Sequence, residues 1–136
     1  MRFVCLAILL LAGCSEDGVS NDGLVGVYRG PGRDTLCVAR EGEALKAGFI
    51  TYGDEDANCS LAGRADVRGE SLTLAPDGDS ECSVEIRIAN GVASVGPRTQ
   101  ACDYYCGPGA DYAGRQLRKL PDAPAKATDF AGDPLC

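Results

Sequence analysis

Short apolar runs separated by turn residues cover the chain from residue 24 to residue 120. The clearest run is at residues 82–88, where four apolar residues alternate with polar ones. A period of two predicts a β-strand with one buried face and one wet face. Asn90-Gly91 follows at once and predicts a type I′ hairpin turn, because both central positions of that turn need a positive φ.

The remaining runs are also short and strand-like, with a weaker signal at residues 58–67, and none shows the sustained 3.6-residue period of a helix. Seven or eight strands with turn residues about every 8–12 positions predict an all-β fold, a small antiparallel meander that forms a barrel or a sandwich. Residues 101–109 resist this assignment and predict a single helical turn or a tight loop. The other strands are expected at residues 24–28, 35–39, 44–52, 58–67, 71–74, 92–95 and 111–120.

The N-terminal residues follow a different pattern. Arg2 precedes an apolar run over residues 3–12, which is too short for a membrane-spanning helix of ~20 residues and is typical of a secretory signal. The run ends in Leu11-Ala12-Gly13-Cys14, which resembles the lipobox of bacterial lipoproteins. The resemblance implies that residues 1–13 are a cleaved signal peptide and that Cys14 carries the lipid, with palmitate among its acyl chains.

The same resemblance implies a location. Ser15 follows the lipidated cysteine where an aspartate would retain the protein at the inner membrane. We therefore expect a chain anchored in the outer membrane and facing the periplasm. Residues 14–23 are polar and glycine-containing and predict a flexible tether, residues 24–120 form the β-domain, and residues 121–136 predict an extended, Pro- and Ala-rich tail.

Eight cysteines are present, and Cys5 would leave with the signal peptide. Cys14 would carry the lipid, and the six cysteines that remain would face an oxidising compartment. They therefore predict three disulfides rather than a metal site. The hairpin at Asn90-Gly91 favours a Cys82–Cys102 pair, and the other pairings stay open. A cysteine at the last position predicts that a disulfide ties the tail to the body. The expected disulfide cysteines are Cys37, Cys59, Cys82, Cys102, Cys106 and Cys136.

Composition removes several functional classes. The chain has no histidine, which excludes a Ser-His-Asp triad and a Cys-His dyad. Its net charge of -7 argues against nucleic acid as a partner. The acidic clusters at residues 54–56 and 77–81 are expected to be solvated turns, since neither has the frame of a calcium loop. We therefore expect a protein that is not an enzyme and that has no metal and no cofactor.

A tyrosine-rich loop at residues 102–114 is the most distinctive segment for recognition. Cysteines and a Gly-Pro-Gly sequence bound it, which suits a rigid surface for protein binding. The plainer interpretation, which we favour at this point, is that the tyrosines cover the open end of a small core. The candidate binding residues are Tyr104, Tyr105, Gly107, Asp111 and Tyr112.

Residues 24–120 also resemble small cysteine-bearing β-domains of exported proteobacterial proteins. The resemblance rests on Gly26-Val27-Tyr28-Arg29-Gly30, on the Cys-Asp-Tyr-Tyr-Cys-Gly segment at 102–107 and on the lipobox. Some of those domains are similar to lysozyme inhibitors, which are eight-stranded barrels with a Ser-Gly loop and a tyrosine that enter the lysozyme cleft. The nearest stretch here, at residues 110–114, has no serine.

The expected function is therefore a periplasm-facing binding protein, with inhibition of a lysozyme as the implied activity. The acidic chain suits a basic exported partner such as a lysozyme. Two alternatives stay open: a structural or envelope-stress lipoprotein without a dedicated ligand, and a carrier of a small ligand in a barrel lumen.

Overall fold

A computed structural model describes residues 21–136. The expected signal peptide, the lipid site at Cys14 and most of the tether lie outside the described residues. Eight antiparallel strands form a closed barrel in which each strand pairs with the next and the last pairs with the first. The all-β prediction is confirmed, and of the two forms that the sequence left open the structure has the barrel. The strands are β1 Gly26–Arg29, β2 Thr35–Glu41, β3 Ala44–Tyr52, β4 Asn58–Arg68, β5 Ser71–Pro76, β6 Val84–Ala89, β7 Val92–Val95 and β8 Gln116–Lys119.

The two ends of the barrel differ. Alternate connections emerge at the same end of an up-and-down meander, so residues 30–34, 53–57, 77–83 and 96–115 share one end, which we call the loop end. The opposite end has three tight two-residue turns. One of them is Asn90-Gly91, with φ of 52° and 74°, which confirms the predicted turn conformation.

Apolar side chains fill the barrel. Tyr28, Phe49 and Leu117 are fully buried in its core, together with leucine, isoleucine and valine side chains from the other strands. The Tyr28 hydroxyl donates to the carbonyl oxygen of Leu24 at 2.8 Å, and burial raises the Tyr28 pKa to about 12. A lumen occupied by side chains argues against a small-ligand carrier.

Strand β4 is the longest, with 11 residues, although its sequence pattern was the weakest. Its inward positions include the small residues Gly63 and Ala65, which give little hydrophobic signal. The last predicted strand is shorter than expected, because residues 111–115 belong to the β7–β8 connection. In the same connection, Gln100–Tyr105 form a 3₁₀ helix, which agrees with the expected helical turn.

The C-terminal tail lies against the outer face of the first three strands. Cys136 forms a disulfide with Cys37 of β2, with 5.6 Å between the Cα atoms. Leu135 is buried there against Val27 and Ile50. Gly48 makes this approach possible, because a Cβ at that position would overlap the carbonyl oxygen of Leu135. The tail is thus clipped to the barrel at its last residue.

The other two disulfides lie at the loop end. Cys82 pairs with Cys102 across 4.8 Å between Cα atoms, which is the pair that the hairpin favoured. Cys59 of β4 pairs with Cys106 across 4.0 Å. Within residues 21–136, no helix is long and apolar enough to cross a membrane.

Candidate functional site

The 3₁₀ helix at Gln100–Tyr105 lies across the loop end and carries the most exposed aromatic side chain of the described chain. Cys102, inside this helix, is tied to Cys82, and Cys106, directly after it, is tied to Cys59. Both disulfides hold the helix to the barrel. Tyr104 stands between the two tied positions with 90% of its surface exposed. The structure therefore holds an exposed tyrosine on a short, doubly anchored backbone.

The three tyrosines of the loop have three different environments. Tyr105 is partly buried, and its hydroxyl donates to Asp79 Oδ2 at 2.9 Å. The Tyr104 and Tyr105 rings meet edge to face at 5.3 Å between centroids. Tyr112 is fully buried and packs edge-on against Phe49 at 5.2 Å. The core-covering interpretation therefore fits Tyr112, whereas Tyr104 projects into solvent.

Gly107 and Asp111 position the loop rather than present a side chain for contact. The Gly107 amide donates to the carbonyl oxygen of Asn58 at 2.9 Å, which continues the pairing beside the Cys59–Cys106 disulfide. Asp111 Oδ1 accepts from the Ala113 amide at 3.0 Å. The structure thus places all five candidate residues at one end of the barrel, and Tyr104 is the one that it presents most fully.

Asp79 braces this arrangement from the β5–β6 connection. Its Oδ1 accepts from the amides of Glu81 and Cys82 at 3.0 and 3.1 Å, while Oδ2 accepts from Tyr105. The Cys82 amide, the Tyr105 hydroxyl and the Glu81 amide lower the Asp79 pKa, because they stabilise its ionised form. The expectation of a solvated turn at residues 77–81 did not include this role for Asp79. The local signal is an Asp whose side chain can accept from the backbone amides two and three residues further along the chain.

A mostly buried ion pair joins the β1–β2 and β7–β8 connections to the last residue of β3. Asp34 has a side chain only 2% exposed and accepts from Arg115 Nη1 at 2.8 Å. It also accepts from the Tyr52 amide at 2.8 Å, and Arg115 Nη2 donates to the Tyr52 carbonyl oxygen at 3.1 Å. The pair links positions 81 residues apart, which no local pattern in the sequence indicates.

The loop end is strongly acidic. Its four connections contain nine Asp and Glu residues but only three Arg. Each Arg is already engaged by a carboxylate, in the pairs Arg33–Asp56, Arg98–Asp103 and Arg115–Asp34. The other six carboxylates of the loop end have no ion-pair partner among the described residues. Among residues 21–136, no group of three or more Cys, Asp or Glu side chains is placed to hold a metal ion.

Comparison of the chain with protein-family models, with curated proteins and with solved structures found no match. Assignment of a function therefore rests on the residues and geometry described above.

Proposed function

We propose that this chain is a lipid-anchored binding protein of the outer membrane, with its barrel in the periplasm, whose loop end binds a basic exported protein. A lysozyme is the candidate partner, and inhibition is the expected effect. The observation that carries the proposal is Tyr104, which is 90% exposed on a helix held by two disulfides. The proposed location rests on the lipobox-like sequence that ends at Cys14.

An exposed aromatic side chain on an ordered backbone is an efficient anchor for protein recognition. Tyrosine is enriched among residues that dominate binding energy, and it has few torsions to immobilise. Because the disulfides at Cys102 and Cys106 already order the backbone around Tyr104, little further conformational entropy is lost on binding. The geometry therefore suits an interface centred on this residue.

The charge of the loop end supports a basic partner. Nine acidic residues against three basic ones give the loop end, where Tyr104 is exposed, a net negative charge. Such a field accelerates association with a basic protein and disfavours an acidic one. A basic lysozyme would match this preference.

A non-catalytic role agrees with the use of the loop-end carboxylates. Asp34 and Asp79 each accept hydrogen bonds on both oxygens, so both are committed to holding the connections together. The chain has no histidine to act as a proton shuttle. We therefore propose binding rather than turnover as the activity of this end.

The experiment is a turbidity assay with a bacterial cell-wall suspension and c-, g- and i-type lysozymes, in which the full chain is added in a non-ionic detergent. We expect at least one lysozyme to be slowed. Tyr104→Ala should weaken inhibition at least about tenfold, whereas Phe130→Ala should leave it unchanged, since Phe130 is 61% exposed but lies on the tail. Unimpeded clearing by all three types would exclude the lysozyme partner, and equal effects of the two variants would exclude the Tyr104 surface.

A further inference from the structure

A second surface lies away from the loop-end helix, between the C-terminal tail and the outer face of β1–β3. It is a groove of about 490 Å³. Its polar and charged lining residues include Arg29, Arg33 and Lys126, the threonines Thr35 and Thr128, and Tyr52. We call it the cationic groove. We propose that the cationic groove binds a phosphate group.

The concentration of positive charge here is unusual for a chain with a net charge of -7. Within residues 21–136, most Arg and Lys side chains form ion pairs with carboxylates, but Arg29 and Lys126 do not. Three cations thus converge on one groove, and only Arg33 has a carboxylate partner, Asp56. An anionic ligand would compensate this charge.

A second observation points the same way. Arg29 of β1 and Arg118 of β8 are direct partners in the register that closes the barrel. Like charges opposite each other on adjacent strands destabilise a sheet, and neither arginine has a carboxylate partner among the described residues. Arg29 also lines the neighbouring groove with Arg118. An anion at Arg29 would relieve this repulsion across the seam.

The donors of the groove are already positioned. Arg29 Nη1 donates to Thr35 Oγ1 at 2.6 Å, and the guanidinium of Arg33 stacks 4.0 Å above the Tyr52 ring. These contacts hold two guanidinium groups in place, and the N–H groups that Thr35 and Asp56 do not use are available to the oxygens of a phosphate. The Cys37–Cys136 disulfide holds the tail in place, and the tail brings Lys126 to the groove.

One carboxylate also lines the groove and sharpens the test. Asp129 Oδ1 accepts from the Asp133 amide at 2.9 Å and so closes a turn of the tail. The negative charge of Asp129 disfavours an anion in the groove. An asparagine side chain at this position could still accept the hydrogen bond from the Asp133 amide. Asp129→Asn should therefore strengthen phosphate binding, which is the opposite sign to loss of an arginine or lysine.

The experiment is calorimetric titration of the full chain in a non-ionic detergent with inorganic phosphate and with dimethyl phosphate, at constant ionic strength set by chloride. We expect saturable binding that weakens about tenfold in Arg29→Gln and in Lys126→Gln. Arg68→Gln removes the same charge from an exposed position at the far end of β4 and should leave affinity unchanged.

The two probes distinguish the source of the phosphate. Tighter binding of inorganic phosphate supports a free phosphate or a monoester, and equal or tighter binding of the diester supports a phospholipid headgroup. The proposal is overturned if neither probe binds saturably, or if Arg68→Gln weakens binding as much as the two groove variants do.

Discussion

Removing Arg115 tests the buried ion pair that holds the loop end together. Arg115→Met would leave the Asp34 carboxylate, 2% exposed, with the Tyr52 amide as its remaining donor, and would also remove the bond to the Tyr52 carbonyl oxygen. Breaking a fully buried pair from one side costs about 3–5 kcal/mol. Because Arg115 is itself 31% exposed, we expect the free energy of unfolding to fall by about 2–4 kcal/mol.

The assay is guanidinium denaturation with the disulfides intact, followed by circular dichroism because the chain has no tryptophan. Arg64→Met is the control, since Arg64 and Asp66 form an ion pair with both side chains well exposed, and its cost should be at most about 1 kcal/mol. Asp34→Asn with Arg115→Met should cost less than the sum of the single changes, by about 1 kcal/mol or more. Equal costs for Arg115→Met and Arg64→Met, or strict additivity at Asp34, would refute the reasoning.

Two further predictions concern pH. The Asp79 pKa is lowered in the folded state by the Cys82 amide, the Tyr105 hydroxyl and the Glu81 amide; its stabilisation is therefore present above the ordinary carboxyl pKa of about 4 and is lost as the pH falls through the lower folded value. The stability difference between the wild type and Asp79→Asn, measured by denaturation at a series of pH values, should shrink on acidification, and a difference that is independent of pH would contradict this role. Burial raises the Tyr28 pKa to about 12, so the stabilisation linked to its neutral form is present below the unfolded pKa of about 10 and is lost as the pH rises toward 12. Tyr28→Phe should lose less stability over that alkaline range than the wild type does, and parallel losses, with tyrosinate absorbance recording the ionisation, would count against it.

Local sequence patterns predicted most of the barrel. Alternation at residues 82–88 and the Asn90-Gly91 turn identified a hairpin, and that hairpin indicated the Cys82–Cys102 pair. These features succeed because they depend on residues that are close in sequence. The choice between a barrel and a sandwich depended instead on β1 meeting β8, which is a contact between the two ends of the domain.

The features that sequence reasoning missed are mostly contacts between distant segments. Position 48 requires glycine because the backbone of Leu135 lies too close for a Cβ. Nothing near Gly48 in the sequence indicates that approach. Asp34 and Arg115 form an ion pair because the barrel topology brings their two connections together. The loop itself was recognised from its composition. The difference between exposed Tyr104 and buried Tyr112 was not, because Tyr112 is buried by contact with Phe49, which is distant in sequence.

Whether Tyr104 is the centre of a protein-binding surface is decided most directly by the equilibrium dissociation constant of the full chain with each lysozyme class, measured at low and high salt. We predict that at least one basic lysozyme binds, that affinity falls as salt screens the acidic loop end, and that Tyr104→Ala weakens binding by about 2 kcal/mol, or roughly 30-fold. Binding that is insensitive to both Tyr104→Ala and salt, or no binding to any of the lysozymes, would contradict it.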